Sequence, residues 1–285
     1  MLPSRQHSNG PGLRGLALLT ALVMGATYAL VFLWAPNDAD QGFVQKIFYV
    51  HVPLAVIALG GFLAGGVMGI AYLRTEKRHW DLRSYVAIHL SLILALGALA
   101  TGSIWARASW GHWWEWREPT LVSFLIVFLL YACYQPLRFA IADPDRQARY
   151  AAVFSVVAGA FVPLNFLAVR LASPYVHPRV LGGTGNLPPR MQVCFILALA
   201  GMTLLWLTLW RYEIASKRAG LRLKALRRRL EERAPGPGAA TGRTTGGRSR
   251  GMPAGAGPGL PARAATASVP AELTPLAGRG EPGPR

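Results

Sequence analysis

The sequence predicts an all-α polytopic membrane protein with six transmembrane helices and a tryptophan-rich outer loop between the third and fourth. Three observations carry that prediction. Of 285 residues, 52% are hydrophobic and only 15% charged, and the mean hydropathy is +0.30, an apolar bias beyond that of ordinary soluble domains. The apolar residues fall into six blocks, each near the roughly 20 residues that a helix needs to cross a bilayer core. Five of the nine tryptophans lie in one short stretch, Trp105-Ala-Arg-Ala-Ser-Trp110-Gly111-His112-Trp113-Trp114-Glu115-Trp116, where two blocks meet.

The first block, 13–34, follows a short N-terminus, 1–12. It is longer than the core of a cleavable signal and no small-residue cleavage site follows it, so it is read as a retained helix. The second block covers 49–73, with Pro53 expected in the first turn, where a missing N–H costs little. The third covers 85–105. The fourth, 121–139, is short enough to tilt or to begin inside the tryptophan loop. The fifth, 151–171, contains Pro163 and Asn165, which fit a kink in a spanning helix. The sixth covers 191–210, so that 13–211 forms one membrane domain. Beyond it, 212–234 sets Leu221, Leu223, Leu226 and Leu230 among cations, the pattern of a basic helix lying on an anionic leaflet and touching membrane lipids. The last stretch, 235–285, is Gly, Pro, Ala, Thr and Arg with few large apolar side chains, and is expected to be disordered.

The net charge of +17 invites a nucleic-acid reading, but much of the excess lies after Tyr212, in a terminal segment, so no nucleic-acid partner is expected. The cations that orient the chain are in short loops: Arg74, Lys77, Arg78 and Arg83 after the second block, and Arg138, Arg146 and Arg149 after the fourth. Positive residues stay cytoplasmic. Both termini are therefore expected in the cytoplasm, and the tryptophan loop, 35–48 and 172–190 on the outer face. The two cysteines, Cys133 and Cys194, form no C-x-x-C or C-x-x-C-H, which excludes a thiol redox pair and covalent haem attachment by this chain. Both are expected to be buried thiols.

On the expected outer side are His51, His112 and His177, with His7 and His79 opposite and His89 within the third block. His51 sits in Lys46-Ile-Phe-Tyr-Val-His51-Val-Pro53 and His177 in Ser173-Pro-Tyr-Val-His177-Pro178. A lone interfacial histidine is usually a hydrogen-bonding group, and tryptophans at helix ends usually anchor a protein at headgroup depth. Anchoring accounts for Trp105 and Trp113. It accounts less well for five indoles followed at once by Arg117, Glu118 and Pro119. A packed indole surface with charged edges suits a large, flat, apolar ligand with carboxylates, and neutral imidazole is a good iron ligand. Haem is the ligand these residues point to, with His51 and His177 on its two axial positions. Arg107, Arg117, Arg179 and Arg190 are possible propionate partners, or equally phosphate contacts. His112 is read as an edge residue and His89 as a buried polar one.

The segment around His51, the pattern Trp110-Gly-x-x-Trp114-x-Trp116, and Asn165 followed by His177 resemble the CcmC family. These are haem-handling membrane proteins of cytochrome c maturation, within the superfamily that carries a tryptophan-rich "WWD" outer loop. The motif match runs to about Arg211. The resemblance implies that His51 and His177 are axial ligands of a non-covalent haem b and that Trp110, Trp113, Trp114 and Trp116 seat the porphyrin. Arg117 and Glu118 then stand at its charged edge. It also implies a bacterial inner-membrane protein that passes haem to a CcmE-type haem chaperone, alongside the CcmA/CcmB transporter subunits. Two departures stand out. Trp116 is followed by Arg117-Glu118-Pro119-Thr120, so that aligning Glu118 with the family's acid leaves Thr120 where an arginine is expected. Val56 stands where a tryptophan often follows the first histidine segment.

The expected activity is handover with no bond-making chemistry, hence no enzyme. Protonation of the histidines would compete with iron, so binding is expected to weaken in acid. The alternatives are a b-type membrane cytochrome, which usually ligates haem from within helices, and a small-molecule transporter, which usually shows internal repeats or broken helices.

Overall fold

The computed structural model describes residues 10–172, 176–177 and 187–233. The chain divides into two units, Met1–Glu232 and Arg233–Arg285. The fold below is that of the first; the predicted tail 235–285 and Arg179 lie outside the described residues.

Its described residues form seven α-helices: α1 (Gly10–Leu33), α2 (Phe48–Thr75), α3 (Arg78–Trp110), α4 (Pro119–Ala132), α5 (Tyr134–Phe139), α6 (Pro144–Leu171) and α7 (Pro189–Arg233), with a 3-10 turn at Phe43–Ile47 leading into α2. Among the described residues there is no strand, only an isolated bridge between Asp38 and Gly42. Among the described residues six segments are long and apolar enough to cross a bilayer, and the all-α, six-span class predicted from sequence is the observed one. Outward faces are apolar as well: Leu22, Val67 and Leu164 are 71%, 66% and 66% exposed. A soluble protein would not present such a surface along every helix; lipid solvates it.

The helix ends follow local chemistry. α3 runs one and a half turns beyond the expected limit at residue 105, because Trp105 and Trp110 are as compatible with helix as the apolar run before them. It stops where Gly111 takes φ 81 and gives its N–H to the Arg107 carbonyl at 3.2 Å, a left-handed cap that glycine adopts without strain. The fourth span, Pro119–Phe139, is broken at Cys133 into α4 and α5. Pro136 has no N–H for the Ala132 carbonyl and its ring crowds it. α2 begins at Phe48, so Pro53 falls past the first turn, one turn later than sequence suggested. Cys194 is buried as expected, whereas Cys133 is exposed on the bundle surface.

α7 continues unbroken through the basic segment that sequence set apart as a surface helix. Its 45 residues extend about 68 Å at 1.5 Å per residue, roughly twice the bilayer core. Leu221, Leu223, Leu226 and Leu230 on its far end are all exposed.

α2 is the centre of the bundle, and glycines let its neighbours approach. A Cβ on Gly159 of α6 would lie 3.2 Å from the Gly66 Cα, and one on Gly66 would lie 3.0 Å from the Ser155 carbonyl oxygen. On the α3 side a Cβ on Gly65 would meet Ile88 at 2.7 Å, and Ser84 donates to the Gly65 carbonyl at 2.8 Å. Such small-residue contacts are how helices associate where no hydrophobic drive operates between them. Phe62 stacks on Tyr131 of α4 at 3.8 Å, and Trp206 of α7 donates to Ser91 of α3 at 3.3 Å. Thr20 of α1 meets Thr208 of α7 at 2.7 Å.

At the end where the basic loops gather, Arg138 makes a two-pronged bond to Asp81 at 2.7 and 2.8 Å, both side chains buried. Arg138 was counted from sequence as a loop cation; it is instead neutralised inside the bundle. Arg78 pairs with Asp145 and Arg149 with Glu76, tying the α2–α3 turn to the start of α6.

Candidate functional site

At the opposite end, the 3-10 turn, the tryptophan segment and the described part of the α6–α7 loop converge. Lys46 is buried and donates from Nζ to the Val31 and Ala35 carbonyls at 2.7 and 3.2 Å, satisfying the end of α1 as a cation can. This fixes the turn five residues before His51. Phe48, Tyr49, Phe195 and Cys194 pack beneath it as a second buried cluster.

His51 emerges from the early part of α2. Its Nδ1 lies 3.0 Å from the Ala98 carbonyl oxygen and 3.2 Å from Thr101 Oγ1. Thr101 gives its own proton to backbone carbonyls, Gly97 at 2.8 Å or Ala98 at 3.2 Å, so its oxygen is left to accept. Nδ1 therefore carries hydrogen and Nε2 keeps the lone pair, the arrangement in which a backbone partner fixes a metal-ligating imidazole. Trp105 meets the ring edge-on at 5.8 Å.

A cavity of about 390 Å³ opens beside this imidazole. Its walls are mostly apolar side chains of α2, α3, α4 and α6, among them Val56, Leu99, Phe124, Val127 and Val162. Both His51 and His177 line it, with Trp105, Trp110 and Trp114. The two histidines, 126 positions apart, thus share one chamber. His177 meets Trp110 edge-on at 6.3 Å.

The tryptophans divide. Trp105 and Trp110 are on the same side of α3 as Ala98, Gly102 and Ser109, which also line the chamber, and Trp114 reaches in from the loop. Trp113 and Trp116 face outward, 60% and 71% exposed, and do not line the cavity. Trp105 spends its N–H on Gln41 Oε1 at 2.7 Å. Trp114 Nε1 and Thr120 Oγ1 are buried in the wall and find no hydrogen-bond partner among the described residues.

The charged pair after the tryptophans also separates. Arg117 is exposed and lies off the cavity, its backbone N–H bonded to Glu115 Oε1 at 2.9 Å. Glu118 is fully buried and caps α4, Oε1 accepting from the Thr120 N–H at 3.2 Å. Its Oε2 accepts from the Val176 and His177 N–H groups at 2.9 and 3.0 Å. Glu118 therefore touches the backbone of the second histidine and not the chamber. His112 is near Glu115 on the surface, 3.6 Å apart. His89 is bonded to Gln135 at 3.3 Å and stacked on Tyr85, away from the cavity.

Residues 7–232 match the CcmC family profile, described as heme exporter protein C. The chain belongs to the heme exporter protein C family. It is 32% identical over 220 residues to the heme exporter protein C of Rhodobacter capsulatus, covering 75% of this chain and 87% of the relative. With the Paracoccus denitrificans protein of the same name it shares 33% over 221 residues, 74% and 90% of the two chains. With that of Escherichia coli K12 it shares 27% over 154 residues, 54% and 62%. The match reaches residue 232, beyond the motif resemblance that ended near Arg211, and so takes in the whole continuous length of α7 within the first unit.

In this member of the heme exporter protein C family, Gln41, Thr120 and Arg170 line the cavity with little local signal in the sequence. Gln41 sits in a loop without a motif and is visible only through its bond to Trp105. Thr120 was noted only as a departure. Arg170, which lines the chamber and lies 5.2 Å over the Phe166 ring, was hidden at the end of an apolar run.

Proposed function

We propose that this protein receives haem as cargo in the chamber between His51 and His177, at the outer face of the bacterial cytoplasmic membrane. From there it passes the haem to a CcmE-type haem chaperone for cytochrome c maturation. The observation that carries this reading is the meeting of both histidines in one tryptophan-walled apolar cavity, with His51 held in the tautomer that leaves Nε2 open. Haem suits those walls: its macrocycle is flat and apolar, and its carboxylates would find Arg170 and the Trp114 and Thr120 donors among the lining residues. Trp105, Trp110 and Trp114 would hold the ring, while the outward Trp113 and Trp116 would meet headgroups or the recipient protein.

The protein's own work is binding, orientation and release. A cargo bound equally well before and after the recipient arrives is not transferred, so the recipient must offer iron a competing ligand. Arg74, Lys77, Arg146 and Arg149 gather at the other end of the bundle, which supports a cytoplasmic placement for that end and for both termini. The CcmA/CcmB subunits are the partners this reading calls for, since ATP has no binding motif in this sequence.

The test is the optical spectrum of the detergent-purified protein, with bound haem quantified, beside His51→Ala, His177→Ala and the double variant. Sharp low-spin bands that weaken or turn high-spin in each single variant are expected. A full haem complement with an unchanged spectrum in the double variant would defeat the reading.

A further inference from the structure

The geometry points to Glu118 as the positioning residue that keeps His177 in the chamber: its buried carboxylate clamps the His177 backbone to the first turn of α4. This inference rests on the haem reading above and adds to it the device that holds the second ligand.

Four observations meet there. The side chain is fully buried, where an ionised carboxylate persists only if hydrogen bonds replace its water. It has them in two directions, the Thr120 N–H on one oxygen and the Val176 and His177 N–H groups on the other. Bonds to a charged acceptor are about twice as strong as neutral ones. The residues joined are 58 and 59 positions apart, so no local turn would bring them together. Finally, Glu118 lies two residues after the segment that supplies Trp110 and Trp114, and the residue it grips is the one whose ring meets Trp110. One carboxylate thus sets the second imidazole in register with the tryptophan wall.

A carboxylate is the side chain suited to this place. It accepts on both oxygens at once, whereas an amide accepts on one and turns an NH2 toward the other set of donors. Glu118→Gln would keep its carbonyl on one side only. Glu118→Ala gives up the bonds to Thr120, Val176 and His177 together.

The experiment compares full-length wild type, Glu118→Gln, Glu118→Ala and His177→Ala, each purified in detergent and titrated with haemin. Readouts are the low-spin fraction, the affinity, and the response to added imidazole. Glu118→Ala is expected to reproduce the His177→Ala spectrum, with affinity lowered about tenfold or more, as for loss of a group that orients a metal ligand. Millimolar imidazole should restore the low-spin bands in both, because the His51 side is intact. Glu118→Gln should fall between wild type and Glu118→Ala, and it carries the test should Glu118→Ala fail to fold. A loss of thermal stability alone, with wild-type spectrum and affinity in both Glu118 variants, would overturn the clamp and leave a helix cap. So would a loss of haem that imidazole does not restore in Glu118→Gln while it does in His177→Ala. Failure of the haem reading itself is a different result: wild type binding no haemin, or His177→Ala keeping the wild-type spectrum.

Discussion

His51 of α2 gives its Nδ1 hydrogen to the Ala98 carbonyl of α3, at 3.0 Å, with Thr101 Oγ1 as a second acceptor at 3.2 Å. Two acceptors from a neighbouring helix fix both the ring's orientation and its tautomer. Thr101→Val removes the weaker acceptor and keeps the shape of the side chain. Haem affinity is expected to fall only a few-fold, because one neutral hydrogen bond contributes about 0.5–1.5 kcal/mol and the Ala98 carbonyl stays. Haemin titration would measure it, and a hundredfold loss would mean that Thr101 does something other than orient the ring.

Gly102 is the floor under the same imidazole. A Cβ there would come within 2.7 Å of His51 Cε1 and 3.2 Å of its Nδ1, closer than carbon atoms pack. Gly102→Ala should push the ring off its Ala98 bond and, under the haem reading, out of position to ligate iron. The expected result is a larger loss than in Thr101→Val, with a shift toward high-spin bands, while the fold survives as judged by circular dichroism.

Asp81 and Arg138 form a buried two-pronged pair, with the Tyr134 hydroxyl 3.3 Å from the guanidinium. Removing one charge strands the other, typically at about 3–5 kcal/mol, whereas replacing both by apolar side chains is often close to neutral. Arg138→Leu should therefore lower the thermal midpoint strongly, and Asp81→Leu with Arg138→Leu should recover most of the loss. Because the pair lies at the other end of the bundle from the cavity, the spectrum of the folded fraction should not change in either. A double variant no more stable than Arg138→Leu would count against this account.

The Trp114 indole and Thr120 hydroxyl lie buried in the cavity wall with no hydrogen-bond partner among the described residues. Under the haem reading they face the carboxylates of the cargo. Thr120→Val should be neutral or slightly stabilising in the empty protein, since it removes an unsatisfied buried hydroxyl. The same change should weaken haemin several-fold while leaving binding of haem dimethyl ester unaltered. Equal effects on both ligands would remove Thr120 from any role toward the carboxylates.

Much of the fold was legible because the bilayer imposes it: a span must be apolar for about 20 residues, and six such blocks are plain in the chain. Local rules also reached the His51 segment as a candidate ligand. What they could not reach is non-local. Hydropathy ends the third span at Trp105 because polar residues follow, yet a helix continues until its backbone bonds are interrupted, six residues later. Glu118 and Arg117 read alike as charges beside an indole cluster; only tertiary structure separates the buried clamp from the exposed side chain. Arg138 read as a loop cation because its partner, Asp81, is 57 positions away.

The glycine contacts of α2 have a consequence for the far end of that helix. Gly66, pressed against Gly159 and Ser155, is 15 residues from His51, about 22 Å along the axis. Gly65 faces α3 on the adjoining side. A helix gripped on two sides by backbone-close contacts cannot rotate about its own axis without driving atoms into its neighbours. The azimuth at which His51 points into the chamber is therefore set from mid-membrane, by residues that carry no side chain.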